Sequence, residues 1–191
     1  ILTGSAVPPI TDKIQHTGTG RIARMTMRTM SLWESGESMG TVSLQKLFEK
    51  EGQPIYSDCN VSLEEIAFYI CRGGWPMAAT ILKGGDALET AFSYYDAIAE
   101  HDISRADSVR RSPIRVRKLM RSLARHQGTQ TSLAVIRNDM ISNDSNVLDE
   151  DTVASYVDAL KKIFVVEDME AWNPNLRSKS AIRTTDTRYY T

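Results

Sequence analysis

The chain is short of cysteine and net charge, and each shortage excludes something. Two cysteines, Cys59 and Cys71, in 191 residues rule out a disulfide-stapled scaffold. Cys71 falls on an apolar helical face and nothing points to secretion, so two reduced thiols are expected. No apolar run approaches the ~20 residues a membrane span needs, and no signal-peptide pattern occurs, which predicts a cytoplasmic protein without a membrane partner. A formal net charge of -1 supplies no global field towards nucleic acid or lipid. The three histidines, His16, His101 and His126, stand far apart and lack metal-ligand spacing with the cysteines, so no metal site is expected. There is no Gly-x-Ser-x-Gly elbow, and no serine has a base partner in sequence. A Gly-x-x-x-x-Gly-Lys-Ser/Thr phosphate loop is missing too, as is an apolar strand ending in a magnesium-binding acidic pair.

What is present is helical punctuation. Ser62-Leu63-Glu64-Glu65 is a capping box, and Leu63, Ile66, Ala67 and Ile70 follow at helical spacing as the apolar side of an amphipathic helix. Cys71-Arg72-Gly73-Gly74-Trp75-Pro76 then breaks the run, with Pro76 preset for the first position of a new helix. Two readings of this break stay open: a helix-to-helix corner, or a phosphate contact where bare glycine backbone approaches a ligand. Upstream, Arg21 to Met27 reads as a short strand, Met30 to Glu34 as a helical turn ended by Gly36, and Ser43 to Lys50 as a two-turn helix. Downstream, Asp86 is the expected cap of a longer helix with Leu88, Ala91, Tyr95 and Ile98 inward.

The clearest architecture runs from Ser112 to Asp168. Ser112-Pro113 opens a helix with Val116, Leu119, Met120 and Leu123 on one face. Gly128 breaks it, and a second helix from Thr131 turns Leu133, Ile136 and Met140 inward. A third, opened by Asp149 or Asp151, carries Val153, Tyr156, Val157 and Leu160. Ile163 to Val166 is the expected strand, with Ser180 to Thr184 as its return. Three short helices and a hairpin predict a winged helix.

Charge is unevenly spread. Arg110, Arg111, Arg115, Arg117, Lys118, Arg121 and Arg125 form a basic block, followed by an acidic one holding Asp139, Asp144, Asp149, Glu150, Asp151 and Asp158. Arg117, Arg121 and Arg125 recur every four residues and are the candidate nucleic-acid-binding residues. The third helix would be the recognition helix, yet it opens on Asp149, Glu150 and Asp151, which phosphates repel and which a helix N-terminus favours. The basic stripe could instead dock on an acidic neighbour.

The ordered set of Ile1-Leu2-Thr3-Gly4-Ser5, Gly18 to Arg21, Met30 to Ser35, Cys71 to Pro76, Ser122 to Arg125, Phe164 to Asp168, Ala171 to Pro174 and Leu176 to Ser178 resembles bacterial AAA-type ATP-binding proteins with a C-terminal DUF4143 domain. The resemblance spans essentially the whole chain. It implies a mainly α fold with short β elements: the tail end of an AAA+ core over 1–35, a helical lid over 36–108, a winged-helix-like segment over 109–170, and the start of a further region over 171–191. It makes Ser5 a catalytic sensor and Arg21 a catalytic arginine acting in trans within a homo-oligomer, with Arg24 as the nearby substitute. Gly73, Gly74 and Pro76 become nucleotide-binding residues of the lid, with ATP and Mg as cofactors held mainly by residues before Ile1.

The apolar start at Ile1-Leu2 and the strand-like end at Arg188-Tyr189-Tyr190 lead us to expect a piece of a longer protein, inactive towards ATP by itself. Three functions follow as expectations: an ATP-dependent switch, a winged-helix DNA-binding module, and a helical protein-interaction domain whose basic and acidic blocks pair internally or with a partner.

Overall fold

The computed structural model describes residues 25–49, 54–141 and 148–169, together with the backbone of 187–190. The chain divides into two compact units, residues 25–95 and residues 1–24 with 96–191. The described residues are mainly helical with one pair of short strands.

The 25–95 unit holds α1 (Leu44–Glu49), α2 (Leu63–Arg72) and α3 (Pro76–Thr80), and most of α4 (Gly84–Ala97). α2 starts where the capping box places it. The Ser62 hydroxyl accepts from the Glu65 N–H at 3.2 Å, and the Glu65 carboxylate accepts from the Ser62 N–H at 2.8 Å. We expect Ser62→Ala to cost about 1 kcal/mol, measured as a shift in urea midpoint at unchanged slope. Pro76 occupies the first turn of α3, as its fixed φ favours. α4 begins at Gly84, two residues before the expected Asp86 cap. Met25 and Met27, at the end of the expected Arg21 to Met27 strand, are exposed and in no strand, while residues 21–24 lie outside the described residues.

The aliphatic stripe of α2 faces outward. The buried side of the helix is Arg72 with half-buried Phe68 and Tyr69, while Leu63, Ile66 and Ile70 are 80%, 41% and 76% exposed. Among the described residues of this unit, only Ala78 and Ala87 are fully buried apolar side chains. An amphipathic pattern records which side is apolar, not what lies against it.

In the other unit α4 passes into a π-helical turn, Ile98–Asp102, and then α5 (Ile103–Arg105). The Ile103 N–H donates to the Ile98 carbonyl, five residues back. An ordinary turn would bring Asp102 to the inner face after Ile98. The wider turn brings Ile103 inward instead, fully buried with Ile98 and Ala99.

α6 (Pro113–Arg125), α7 (Leu133–Ile141) and α8 (Glu150–Lys162) complete the core. Val116, Leu119, Met120 and Leu123 of α6, Ile136 and Met140 of α7, and Val153, Tyr156, Val157 and Leu160 of α8 are all buried, as their periodicity predicts; Leu133 is half-buried. Asp149 caps α8 through the Thr152 N–H at 2.6 Å.

The strand β1 is Val166–Met169, not Ile163 to Val166. α8 ends in a Schellman arrangement that uses up the earlier residues. Val165 N–H donates to Leu160 O and Phe164 N–H to Lys161 O, both at 3.0 Å, with Phe164 at φ 61°. β1 pairs antiparallel with β2 (Thr187–Tyr190), Val166 opposite Tyr190 and Met169 opposite Thr187. The expected return strand at Ser180 to Thr184 lies outside the described residues.

Candidate functional site

Three groups of residues compete for function: the 71–76 corner, the basic stripe of α6, and the outward face of α2.

At the corner, Gly73 closes α2 at φ 73°, ψ -172°, a region essentially reserved for glycine, while its N–H donates to Tyr69 O. Gly74 O accepts from the Met30 N–H at 2.8 Å. A Cβ on Gly74 would lie 2.3 Å from Met30 O, so the close backbone approach that glycine permits is made to the chain itself. Arg72 reinforces this docking. Its Nη1 donates to Glu37 Oε1 at 2.7 Å, its Nε to Gly73 O at 3.1 Å, and its guanidinium lies 5.0 Å from the Tyr69 ring centroid. Burial works against the Glu37 carboxylate, but hydrogen bonds from Arg72 and Ser35 and the Arg72 charge outweigh it and hold its pKa below the ordinary value. Trp75 packs edge-on against Tyr94, centroids 4.3 Å apart. Of the two readings left open by sequence, the helix corner accounts for both glycines.

The basic stripe is already engaged. Arg117 donates to Asp96 Oδ1 and to Glu100 Oε1, each at 2.8 Å. Arg125 donates to Asp139 Oδ2 at 2.5 and 3.1 Å. Arg121 is exposed and makes no ion pair with a described residue. Ser5, Arg21 and Arg24 lie outside the described residues.

Arg111, which the sequence shows only as one of many arginines, organises this unit. It is 5% exposed and holds Asp107 bidentately at 2.6 and 2.7 Å. It also reaches the Ser155 carbonyl and hydroxyl on α8 at 3.2 Å, and its guanidinium lies 5.4 Å from the Tyr156 ring centroid. The Tyr156 hydroxyl accepts from the Ser112 N–H at 3.1 Å, fixing the α6 cap to α8.

The Arg111 hydrogen bonds hold the Asp107 carboxyl below its usual pKa, against burial, and Arg125 does the same for Asp139. A carboxyl with a depressed folded pKa contributes stability above its unfolded pKa, and loses it as pH falls through the folded value. Stability should therefore fall as pH drops below about 4. Asp107→Asn should be less stable at neutral pH and show a flatter acid limb in urea titrations between about pH 5 and 2.

No group of histidine, cysteine, aspartate or glutamate among the described residues could hold a metal ion. Cys59 and Cys71 are both free and exposed. No described helix is long and apolar enough to cross a membrane.

Residues 63–191 match the family described as "Domain of unknown function (DUF8612)". The chain belongs to the DUF8612 family. Its match opens on Leu63, the first residue of α2. No curated protein and no solved structure matches the chain. The DUF8612 match overturns the resemblance to AAA-type ATP-binding proteins with DUF4143, which rested on short pieces in order. Several of those pieces lie outside the described residues. The most specific of the others, Cys71 to Pro76, is explained by a helix end and a backbone contact. ATP, Mg and a trans-acting Arg21 lose the inference that led to them.

Proposed function

We infer that this DUF8612 chain is a helical protein-interaction domain whose contact surface is the outward face of α2. One observation carries the reading: Leu63, Ile66, Ala67 and Ile70 stand exposed in a capped, regular helix whose other side is occupied by Arg72, Phe68 and Tyr69. Contiguous exposed apolar surface costs solubility and marks interaction sites on folded proteins. Support also comes from the basic block, where Arg117 and Arg125 are matched to acids of their own unit, leaving fewer cations for an external polyanion. The test is capture of binding proteins from source-cell extract by the full chain and by Ile70→Glu. Partners captured by the first and lost by the second are expected; equal capture by both removes α2 as the surface.

A second reading, a winged-helix-like DNA-binding module over 109–170, is favoured by the order α6, α7, α8, β1, β2 and by exposed Arg121. Phosphates would have to displace the acids on Arg117 and Arg125, and α8 opens on Glu150 and Asp151. Duplex DNA titrated at low and physiological salt decides it. Binding that falls steeply with salt would establish DNA contact, and Arg121→Ala should then flatten the slope by about one unit. Salt-independent or absent binding ends this reading.

A further inference from the structure

We propose that the occupant of the α2 face is α2 of a second copy of this chain, packed antiparallel about a two-fold axis between Ile66 and Ala67. The proposal rests on the interaction reading above and names its partner.

A two-fold interface must be self-complementary, with each residue facing the one related to it by the axis. The outward face of α2 has that symmetry in its spacing. Leu63, Ile66, Ala67 and Ile70 are exposed at intervals of three, one and three residues, a pattern unchanged when the helix is reversed. Reversal about the midpoint sets Leu63 against Ile70 of the second copy, and Ile66 against its Ala67. Large side chains meet at the two ends. At the centre a large residue meets a small one, and Ala67 allows the axes to approach to about 8–9 Å.

Antiparallel packing also places each helix N-terminus beside the other's C-terminus, which the opposed dipoles favour. Glu64 and Glu65 lie in the first turn, so the acidic end of each helix avoids its own symmetry mate. A parallel arrangement would set these carboxylates side by side. The face offers on the order of 400 Å² per copy, about half the ~800 Å² per partner of a stable interface. That area fits a weak, concentration-dependent dimer rather than an obligate one.

The decisive experiment uses the full chain in sedimentation equilibrium across the micromolar to high-micromolar range. A monomer–dimer equilibrium is expected, weakened at least tenfold by Leu63→Glu and, separately, by Ile70→Glu. Both positions are exposed, so thermal melts of the variants should match the parent and show that they fold. Register is read by oxidative cross-linking with Cys59→Ser and Cys71→Ser as the background. In the antiparallel pair the two Ala67 positions lie beside the axis, close enough for a disulfide after Ala67→Cys. The two Leu63 positions lie about 10 Å apart along the helices, so Leu63→Cys should not cross-link.

A monomer at every concentration, a dimer indifferent to both glutamate variants, or cross-linking at position 63 but not 67 would each overturn the proposal. If the chain is monomeric yet Ile70→Glu still loses a captured protein, the interaction reading survives and self-pairing does not. If the chain is monomeric and capture is also unaffected, both fall.

Discussion

Replacing Arg111 by alanine should destabilise the protein by about 3 kcal/mol, lowering the melting temperature of its unit by more than about 10 °C. Few surface-charge changes act on this scale, and the reason is burial. Arg111 is 5% exposed, and its removal takes the bidentate partner from Asp107, leaving it the Val109 N–H at 3.1 Å and Lys162 at 4.0 Å, and breaks the contacts to the Ser155 carbonyl and hydroxyl on α8. Removing one member of a buried pair costs more than the pair is worth, because the desolvated survivor loses its main compensation. Arg111→Lys should recover only part of the loss, since an ammonium cannot reproduce the bidentate fork to Asp107 or the stacking on Tyr156. The double variant Arg111→Met, Asp107→Leu should lie closer to the parent than Arg111→Ala does. Urea midpoints at constant slope measure all three. A loss below about 0.5 kcal/mol for Arg111→Ala would mean that Arg111 does not hold α6 to α8.

Gly74→Ala should have the second largest effect, about 2–3 kcal/mol, from overpacking with nowhere to relax. The new Cβ would meet Met30 O at 2.3 Å, Met30 N at 3.0 Å and Thr29 Cβ at 3.1 Å. Two of these three atoms are backbone, so the strand of chain around Met30 has to withdraw. Its hydrogen bond to Gly74 O would go with it, and the Arg72–Glu37 pair would loosen. Hydrogen exchange should show the Met30 amide losing protection. Gly73→Ala offers a contrast: its backbone angles alone cost about 1–3 kcal/mol, with no collision at Met30. Gly85→Ala is the control, because a Cβ there meets open space within α4 and alanine favours helix. If Gly74→Ala matched this control in stability and exchange, the corner would not be held by the Met30 contact.

Much of the local structure was legible because the deciding physics is local. The Ser62 capping box, Pro76 and Pro113 at helix starts, and the Asp149 cap act through neighbouring residues, and each helix begins as those signals direct. Periodicity identified the inner faces of α6, α7 and α8 because there the apolar stripes do meet one another. Periodicity alone did not decide the packed side of α2, where the aliphatic stripe points outward and a buried arginine with two half-buried aromatic rings packs inward. It also misplaced β1, because the Schellman turn through Phe164 depends on how α8 terminates and not on β propensity. Ordered short motifs misled most: a Gly-Gly-Trp-Pro run fits several structural demands, and the DUF8612 match removes the resemblance from which an ATPase lid was inferred.

By itself, then, the sequence determined where α2, α3, α6 and α8 start and which residues fill the three-helix core. Caps, prolines and 3.6-residue periodicity act over a few residues, so they need no knowledge of the fold. Only the tertiary structure decided that Gly74 makes room for Met30, that Arg111 is the buried tie between α6 and α8, and that the arginines of the basic stripe are divided between internal pairs and solvent. Those outcomes depend on residues tens of positions apart meeting in space, as Arg72 with Glu37 and Arg111 with Ser155 do. The 71–76 corner shows the division most plainly. Its break is written in two glycines and a proline, and its partner is chosen by the fold.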